Sequence, residues 1–201
     1  MFTGIITHLG RIITVNHHHK NDSLIEISLD KKTVKQQLKI GCSIACNGVC
    51  LTLVEQKTIK ENLILSFYAS KETCSLTTLK NIKKNHLINV EFSLRLGDEL
   101  GGHLVLGHID QTAKIVDIEA VKDSWVFSFE TPKTLKKFIA QKGSITINGV
   151  SLTVNEVDNI SFKVNIIKHT FNNTIFKDLK INDLVNLEID VIARYVLNSK
   201  K

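Results

Sequence analysis

The sequence has no apolar run near the ~18 residues that a membrane-spanning helix requires. Its first ten residues, MFTGIITHLG, lack the basic start and the long apolar stretch of a secretory signal. The first absence argues against a helical membrane protein, and the second leads us to expect a cytoplasmic location.

Aromatic side chains are also scarce, at 6% of the residues, although the net charge is +6. A basic protein is a candidate for nucleic-acid binding, but single-stranded nucleic acid is held largely by stacking its bases on aromatic rings. The lysines are scattered among Asp and Glu. We therefore interpret the charge as a lysine-rich solvated surface and expect no nucleic-acid partner. The charge alone supports the rival hypothesis of a nucleic-acid-binding β-barrel.

The four cysteines include no Cys-x-x-Cys pair and have no nearby histidine to complete a tetrahedral metal set. Cys42, Cys46 and Cys50 are spaced four apart, and Cys74 follows later. In a cytosolic chain we expect all of them to be free thiols. The run His17–His19 lies in a polar stretch, which predicts a solvated loop rather than a metal site.

What the sequence does contain is an internal repeat. Cys42–Glu55 matches Gly143–Glu156, and both carry Asn-Gly-Val and Leu-Thr at the same positions. Further matches keep the same order: Gly4–Ile12 with Gly107–Ile115, Lys71–Thr73 with Lys168–Thr170, and Asn89–Glu91 with Asn186–Glu188. Chance similarity would not preserve this order. We expect two copies of one domain, over residues 1–97 and 98–190, followed by a separate tail over residues 191–201.

Each copy is predominantly β-structure. In the first copy, the β-branched or alternating segments are Ile5–Val15, Ser23–Leu29, Ser43–Cys46, Val49–Val54, Leu63–Ala69 and Leu87–Phe92. Asn47-Gly48 and Asn148-Gly149 lie between such segments and predict type I′ hairpins, because both central residues of that turn need positive φ. Short strands in this number predict a closed barrel, which leaves no exposed edge. The predicted fold is all-β, with two tandem six-stranded Greek-key β-barrels and a short C-terminal α-helix.

Helices are predicted at three places. Lys31–Lys39 and Pro132–Gln141 interrupt the two copies at matching positions, and Pro132 suits a first helical turn. Val191–Leu197 has helical periodicity and no counterpart in the first copy. An apolar helix without a partner at the end of a chain often packs on another subunit.

Three features together resemble the riboflavin synthase family: the N-terminal MFTGII, the doubled Asn-Gly-Val-Cys/Ser-Leu-Thr motif, and Gly101–Ile109 with the sequence GGHLVLGHI. The resemblance extends from Met1 to the tail. It implies the last step of riboflavin biosynthesis, in which one 6,7-dimethyl-8-ribityllumazine donates four carbons to another. The products are riboflavin and 5-amino-6-(D-ribitylamino)uracil, and no metal or redox cofactor takes part.

The resemblance also implies a homotrimer, with each active site between the N-terminal barrel of one subunit and the C-terminal barrel of another. Whether lumazine synthase is a further partner stays open. The repeat is consistent with this chemistry, because two homologous pockets that face each other can hold two copies of one molecule. Orienting reactants in this way can supply roughly 7–11 kcal/mol of the barrier.

Five residues are our catalytic candidates: His108, Ser151, Cys50, Thr153 and Thr52. His108 is the candidate acid–base group, since imidazole titrates near neutral pH and the reaction removes a proton from a ring methyl. Cys50 and Ser151 are equivalent, and each could add to the lumazine or orient a water molecule. Thr52 and Thr153 lie two residues further on, hence on the same strand face, where a hydroxyl could bond the pyrimidine-like edge.

Each candidate has a structural alternative. A histidine such as His108 can simply bond backbone groups, and we interpret His103 in this way, as a residue that holds its loop together. Cys50 and Ser151 could be small strand residues packed in a barrel, and threonine is a common strand former. The sequence does not show which copy holds the donor.

The resemblance implies a longer set of substrate-binding residues, in part through their backbone groups. They are Gly4, Ile5, Ile6, Cys50, Leu51, Thr52, Tyr68, Ala69, Ser70, Lys71, Glu72, Thr73, Gly107, His108, Ile109, Lys142, Ser151, Leu152, Thr153, Asn165, Ile166, Ile167, Lys168, His169 and Thr170. Lys142 would reach a neighbouring subunit's ligand, the alternative being a helix-end charge. Phe2 is expected to pack near the site.

Three positions depart from the family pattern. Val49 stands where some members carry a second cysteine, and Asn148 stands where some carry an aspartate. Lys168-His169 stands where Pro-Glu or Lys-Glu is usual. The rival within the same fold is a lumazine or flavin carrier without catalytic activity. Retention of Gly101–Ile109 and Ser151–Thr153 favours the enzyme.

Overall fold

The computed structural model describes residues 1–17 and 22–199. Two closed antiparallel barrels of six strands each account for most of this chain. The strands of the first barrel are β1 His8–His17, β2 Ser23–Asp30, β3 Ser43–Cys46, β4 Val49–Ile59, β5 Asn62–Ala69 and β6 Leu87–Phe92. Those of the second are β7 Gln111–Val121, β8 Ser124–Glu130, β9 Ser144–Ile147, β10 Val150–Val157, β11 Ser161–Ile167 and β12 Leu184–Ile189.

The two barrels have the same topology. The first runs β1-β2-β5-β4-β3-β6 around the barrel, and the second runs β7-β8-β11-β10-β9-β12. In each, the fifth strand returns beside the second, which is the Greek-key order. The predicted fold class is therefore confirmed.

Three short α-helices lie outside the barrels: α1 Lys71–Leu76, α2 Lys168–Asn173 and α3 Val191–Asn198. The side chain of Asp190 caps α3 by accepting a hydrogen bond from the backbone N–H of Ile192 at 2.9 Å. The predicted C-terminal helix is thus present. None of the helices in the described part of the chain has the length and apolar character needed to cross a membrane.

Alternation along the strands builds the two cores. Ile25, Ile27 and Leu29 of β2 point into the first barrel and are almost fully buried, while their neighbours are only partly covered. The first core is mostly aliphatic. The second contains Phe127, Phe129, Phe162 and Phe176, which contact one another edge-to-face or stacked.

The predicted hairpins meet at the junction of the barrels. Asn47 and Gly48 have φ of 46° and 79°, and Asn148 and Gly149 have φ of 47° and 83°, as a type I′ turn requires. A Cβ on Gly48 would lie 2.7 Å from the backbone nitrogen of Gly149, and the reverse holds for Gly149. The two turns therefore contact backbone to backbone, and only glycine fits there.

Four buried asparagines join the barrels around this contact. The side chain of Asn89 donates to the carbonyl of Asn148, and that of Asn186 donates to the carbonyl of Asn47, both at 2.9 Å. The side-chain oxygen of Asn148 accepts from the backbone N–H of Asn186 at 2.8 Å. Asn148 thus uses a neutral acceptor, and this hydrogen bond does not depend on a negative charge.

Two helix predictions are wrong. Residues 31–39 form turns and irregular structure, and within Pro132–Gln141 only Lys136–Phe138 makes a single 3₁₀ turn. Leu38, Leu135 and Ile139 are buried against the barrel cores. Helices of this length are marginal in water, and burial of these side chains in the barrel ends is what holds the segments.

The first predicted strand also began too early. Residues 5–7 lie outside β1, because Gly4 takes φ of 79° and turns the chain away from the first barrel. Of the histidine run, the backbone of His17 ends β1. His18 and His19 lie outside the described residues, so the predicted loop stays a prediction.

Candidate functional site

The segment before each barrel crosses to the other barrel. The backbone N–H of Cys50 in β4 donates to the carbonyl of Gly107 at 2.9 Å, and that of Ser151 in β10 donates to the carbonyl of Gly4 at 2.8 Å. Ile109 accordingly packs on the first core and Ile6 on the second. Each candidate site therefore combines a strand of one copy with the segment that precedes the barrel of the other copy. We call these two segments, residues 3–6 and 106–109, the walls.

Two glycines permit this close crossing. Gly4 and Gly107 have φ of 79° and 77°. A Cβ on Gly4 would lie 2.5 Å from Cβ of Ser151, and one on Gly107 would lie 2.6 Å from Cβ of Cys50. Any side chain would push the wall away from the strand.

At the first candidate site, Cys50 of β4 contacts Gly107, the residue before His108, and Thr52 lies two residues further along the same strand. Cys50 is half-buried, whereas Thr52 and His108 are exposed. Phe2 is fully buried in a small cluster with Ala45 and Val105, and Cys50 packs against this cluster. Phe2 therefore packs beside Cys50, one of the candidate residues.

The second pocket contains a side-chain hydrogen-bond chain. Nδ1 of His103 lies 2.7 Å from Oγ of Ser151, and Nε2 of His103 lies 3.0 Å from Oγ1 of Thr146. Burial lowers the pKa of His103, although the charge of Asp190 acts in the opposite direction. A neutral imidazole has one donor and one acceptor nitrogen, so it can accept the Ser151 proton while donating to Thr146.

The sequence interpretation of His103 as a loop-binding residue missed this contact. His103 and Ser151 are 48 residues apart, and nothing in the sequence pairs them. The signal available was the Gly101-Gly102 step before His103. A Cβ on Gly102 would collide with the carbonyl oxygen of Thr3, so the chain passes very close to the N-terminal segment there.

Two buried glutamates hold the walls, and sequence reasoning did not place them in the site. Glu91 accepts from the backbone N–H and the hydroxyl of Thr3, at 2.7 and 2.8 Å, and from the N–H of Gly4 at 3.0 Å. Glu188 accepts from the N–H groups of Leu106 at 2.7 Å and Gly107 at 2.9 Å. The two glutamates end the repeat match of Asn89–Glu91 with Asn186–Glu188, and this match was the sequence signal for their equivalence.

Burial raises the pKa of both glutamates above the usual carboxyl range, while the hydrogen bonds from the walls act against it. For Glu188 the pKa rises to about 7, and the charge of Asp110 adds to the effect of burial. The turn that carries His108 is therefore held by a carboxyl group that titrates near neutral pH.

The predicted contact stretches Tyr68–Thr73 and Asn165–Thr170 each run from a strand end into a short helix. Tyr68 and Ile167 are exposed, at 52% and 58%. Ala69 and Ile166 are buried, so their side chains face the barrel interior. In α1, Ser70 is the N-cap and accepts from the N–H of Thr73 at 3.1 Å.

Lys142 is exposed in the turn before β9 with φ of 67°, where the first copy has Gly41 with φ of 89°. The backbone N–H of Lys142 donates to the carbonyl of Val154 at 2.7 Å, and that of Gly41 donates to the carbonyl of Leu53 at 2.8 Å. No helix reaches Lys142, because the preceding 3₁₀ turn ends at Phe138. A helix-end charge therefore does not account for this lysine.

Within residues 1–17 and 22–199, no three His, Cys, Asp or Glu side chains come together as a group that could hold a metal ion. All four cysteines are free thiols. The four-residue spacing of Cys42, Cys46 and Cys50 distributes them over β3, its approach and β4.

Comparison with known proteins supports one family. The lumazine binding domain model matches residues 3–93 and 106–190. Riboflavin synthase of Brucella abortus (strain 2308) is 43% identical over 197 residues, covering 97% of this chain and 96% of that protein. Riboflavin synthase of Bacillus subtilis (strain 168) is 32% identical over 196 residues, covering 98% and 88%.

Solved structures share the fold. The crystal structure of LumP complexed with riboflavin has a TM-score of 0.84 at 24% identity, covering 94% of this chain and 99% of that one. LumP complexed with 6,7-dimethyl-8-(1'-D-ribityl) lumazine gives a TM-score of 0.81 at 23% identity, with the same coverage.

Proposed function

The chain belongs to the riboflavin synthase family, and from this premise we propose that it converts two molecules of 6,7-dimethyl-8-ribityllumazine into riboflavin and 5-amino-6-(D-ribitylamino)uracil. One molecule gives up four carbons and the other accepts them, so the atoms balance without a further reactant. No metal or redox cofactor is assigned a role.

One observation carries the proposal: two strand crossings of the same construction occur in one chain. Each is formed by a strand of one barrel and a wall from the other, joined by the hydrogen bonds Cys50–Gly107 and Ser151–Gly4. A reaction between two copies of one molecule needs two sites of equal shape. Donor and acceptor need different chemistry, and the groups on the two strands differ accordingly.

We assign complementary roles to the two pockets. In the second, neutral His103 can take a proton from the Ser151 hydroxyl, or from a water molecule that Ser151 orients. In the first, His108 is exposed and free of the barrel interior, where it can exchange protons with a ring methyl. Thr52 lies on the face of β4 that carries Cys50, and Thr153 lies on the face of β10 that carries Ser151. Both threonines are exposed and would hydrogen-bond the pyrimidine edge of the ligand.

We further propose that the reacting pair lies between subunits of a homotrimer in the cytoplasm. The candidate groups Thr52, His108 and Thr153 are exposed in the single chain, so a neighbour is needed to exclude water from them. Helix α3 exposes Ile192 at 60% and Tyr195 at 71%, an apolar surface suited to a subunit contact. Lys142 would reach the neighbour's ligand.

The alternative is a carrier that binds lumazine or flavin without converting it. The LumP structures, with their bound ligands, share this fold at under 25% identity. The relatives above 30% identity are riboflavin synthases. The His103–Ser151 contact favours the enzyme, since a carrier has no need of a proton acceptor at this hydroxyl.

The decisive experiment is to mix the purified protein with dimethylribityllumazine and follow riboflavin absorbance and fluorescence. We expect one riboflavin and one pyrimidine product for every two lumazines consumed. Tight binding of the lumazine without formation of riboflavin would instead establish the carrier.

A further inference from the structure

Helix α3 is joined to the turn of His108 by an ion pair. Nη2 of Arg194 lies 2.6 Å from Oδ1 of Asp110. The other oxygen of Asp110 accepts from the backbone N–H of Ile189 at 2.9 Å. Asp110 is nine-tenths buried and Arg194 about six-tenths, so water screens this pair less than an exposed one.

The turn is held on both sides of His108. Before it, Glu188 accepts from the N–H groups of Leu106 and Gly107. After it, Asp110 is bound to β12 and α3. A cavity of about 330 Å³ lies between the turn and the helix, lined by His108, Asp110, Glu188 and Arg194 among others. The helix and the candidate acid–base group therefore face the same space.

The first copy has no such arrangement. Thr7 stands at the position of Asp110, and its hydroxyl donates to the carbonyl of Val90 at 3.3 Å. The wall of that copy carries Ile5 at the position of His108. The charged anchor thus occurs only in the copy whose wall carries a histidine.

Arg194 supplies the positive charge that pairs with Asp110, and the charge of Asp110 in turn adds to the effect of burial, which raises the pKa of Glu188. Without it, Asp110 would be a bare, largely buried charge next to Glu188, and like charges disfavour two ionised groups. A protonated Glu188 has a hydroxyl where an acceptor oxygen was, and it could no longer accept from both backbone N–H groups. The turn would lose one of its two anchors.

We propose that Arg194 is a positioning residue, which fixes the His108 turn through Asp110 and so makes the site depend on the docking of α3. This inference rests on the proposed function. The proposed subunit contact is one role of α3. The ion pair of Arg194 with Asp110 gives the helix a second role, which is a direct connection to the turn of His108.

A pair of variants separates this role from simple helix docking. Arg194→Gln leaves Asp110 charged and unpaired, whereas Asp110→Asn combined with Arg194→Gln removes both charges and keeps a neutral hydrogen bond. We expect the single variant to lower kcat about tenfold, less than the roughly hundredfold that a 1 Å displacement can cause. The double variant should recover most of that loss. Asn198→Ala, on the same helix and exposed, is the matched control and should behave as wild type.

The pH profile is the second readout. Burial and the charge of Asp110 raise the pKa of Glu188, and the backbone N–H groups of Leu106, Gly107 and His108 lower it. Removing the positive charge that offsets Asp110 therefore favours protonation of Glu188. The rising limb of kcat against pH should therefore move to higher pH in Arg194→Gln and return in the double variant. Light scattering compares the oligomeric state of the single and double variants.

A double variant no more active than the single one, at the same oligomeric state, would overturn the proposal. So would a single variant with wild-type kcat and pH profile. If the wild type itself forms no riboflavin, the proposed function fails. The three proteins are then compared by riboflavin fluorescence titration, in which weaker binding by Arg194→Gln alone supports the positioning role and equal binding refutes it.

Discussion

Nδ1 of His103 lies 2.7 Å from Oγ of Ser151, and the thiol of Cys50 occupies the equivalent place in the other copy. The duplicated motif thus holds a hydroxyl paired with a buried imidazole in one pocket and a half-buried thiol in the other. Two sites with equivalent backbone contacts therefore carry different groups for proton transfer.

This contact leads to the first prediction. Ser151→Ala and His103→Gln should each lower kcat by about a hundredfold, the lower end of what general acid–base groups contribute. His108→Ala should also lower turnover strongly. Riboflavin formation gives kcat, and thermal unfolding checks that the fold is intact.

Thr146 lies opposite Ser151 on β9 and bonds the other ring nitrogen of His103. Thr146→Val is therefore the control for His103, because it removes this second ring contact and keeps the Ser151 hydroxyl. We expect a smaller loss than with His103→Gln. Wild-type turnover in both Ser151→Ala and His108→Ala would remove these residues from the catalytic set.

The second prediction concerns the crossing of the walls. Gly107→Ala introduces a Cβ that would lie 2.6 Å from Cβ of Cys50, and φ is 77° at this position. Gly97 is the matched control, since its φ is 95° and a Cβ there would meet nothing within 4 Å. Gly97→Ala carries only the backbone cost, about 1 kcal/mol or somewhat more.

Gly107→Ala should lower the free energy of unfolding by a further 1–3 kcal/mol, which is roughly the cost of overpacking. Turnover should fall with it, because the His108 turn moves. Chemical denaturation of the two variants measures the difference. An equal loss of stability in Gly107→Ala and Gly97→Ala would mean that residue 107 is not in close contact with β4.

The barrels can be predicted from the sequence, but the crossing of each N-terminal segment to the other barrel cannot, for a physical reason. Asn47-Gly48 and Asn148-Gly149 are local turn signals, and they predict hairpins that the structure confirms. The exchange of walls depends on contacts such as Ser151 with Gly4, which no local pattern encodes. No local pattern encodes the contact between His103 and Ser151 either.

The wrong helices have another cause. Leu38 and Leu135 sit at spacings that suit an amphipathic helix, yet they fill the ends of barrels. A short apolar pattern does not distinguish these two uses. The strand boundary at Ile5 failed because Gly4 redirects an otherwise β-like segment.

The third prediction follows from Glu188, whose pKa is raised from 4.5 to about 7. Because the folded protein binds this proton more tightly than the unfolded chain, its contribution favours folding below pH 4.5 and is lost as the pH rises to about 7. The difference is on the order of 3 kcal/mol. Glu188→Gln cannot titrate, so the stability difference between variant and wild type should change with pH over this window.

Chemical denaturation at pH 5 and pH 8 provides the measurement. Relative to wild type, Glu188→Gln should be more stable at pH 8 than at pH 5, whatever its mean stability. Glu91, whose pKa is also raised, is present in both proteins and cancels in the comparison. A difference that stays constant across the window would rule out titration of Glu188 in it.

The fourth prediction separates stability from function at Lys142. A non-glycine residue at φ of 67° carries strain that glycine avoids. Lys142→Gly should therefore raise the free energy of unfolding by about 0.5–1 kcal/mol. If the ammonium group binds a neighbouring subunit's ligand, the affinity for dimethylribityllumazine should fall at the same time.

Lys142→Asn tests the charge with less change in backbone freedom, because asparagine tolerates positive φ. Fluorescence titration of the ligand and thermal unfolding read the two effects independently. Unchanged affinity in both variants would assign Lys142 to the surface.

The last prediction concerns the tail. Deletion from Val191 onward removes the exposed apolar side chains of α3, such as Ile192 and Tyr195, together with the Arg194–Asp110 ion pair. We expect monomers with little activity, because the pockets lose the neighbour that covers them and the His108 turn loses an anchor. Each barrel keeps its six strands, so the fold should persist. Sedimentation and riboflavin formation measure the two consequences, and a fully active trimer after this deletion would refute the shared site.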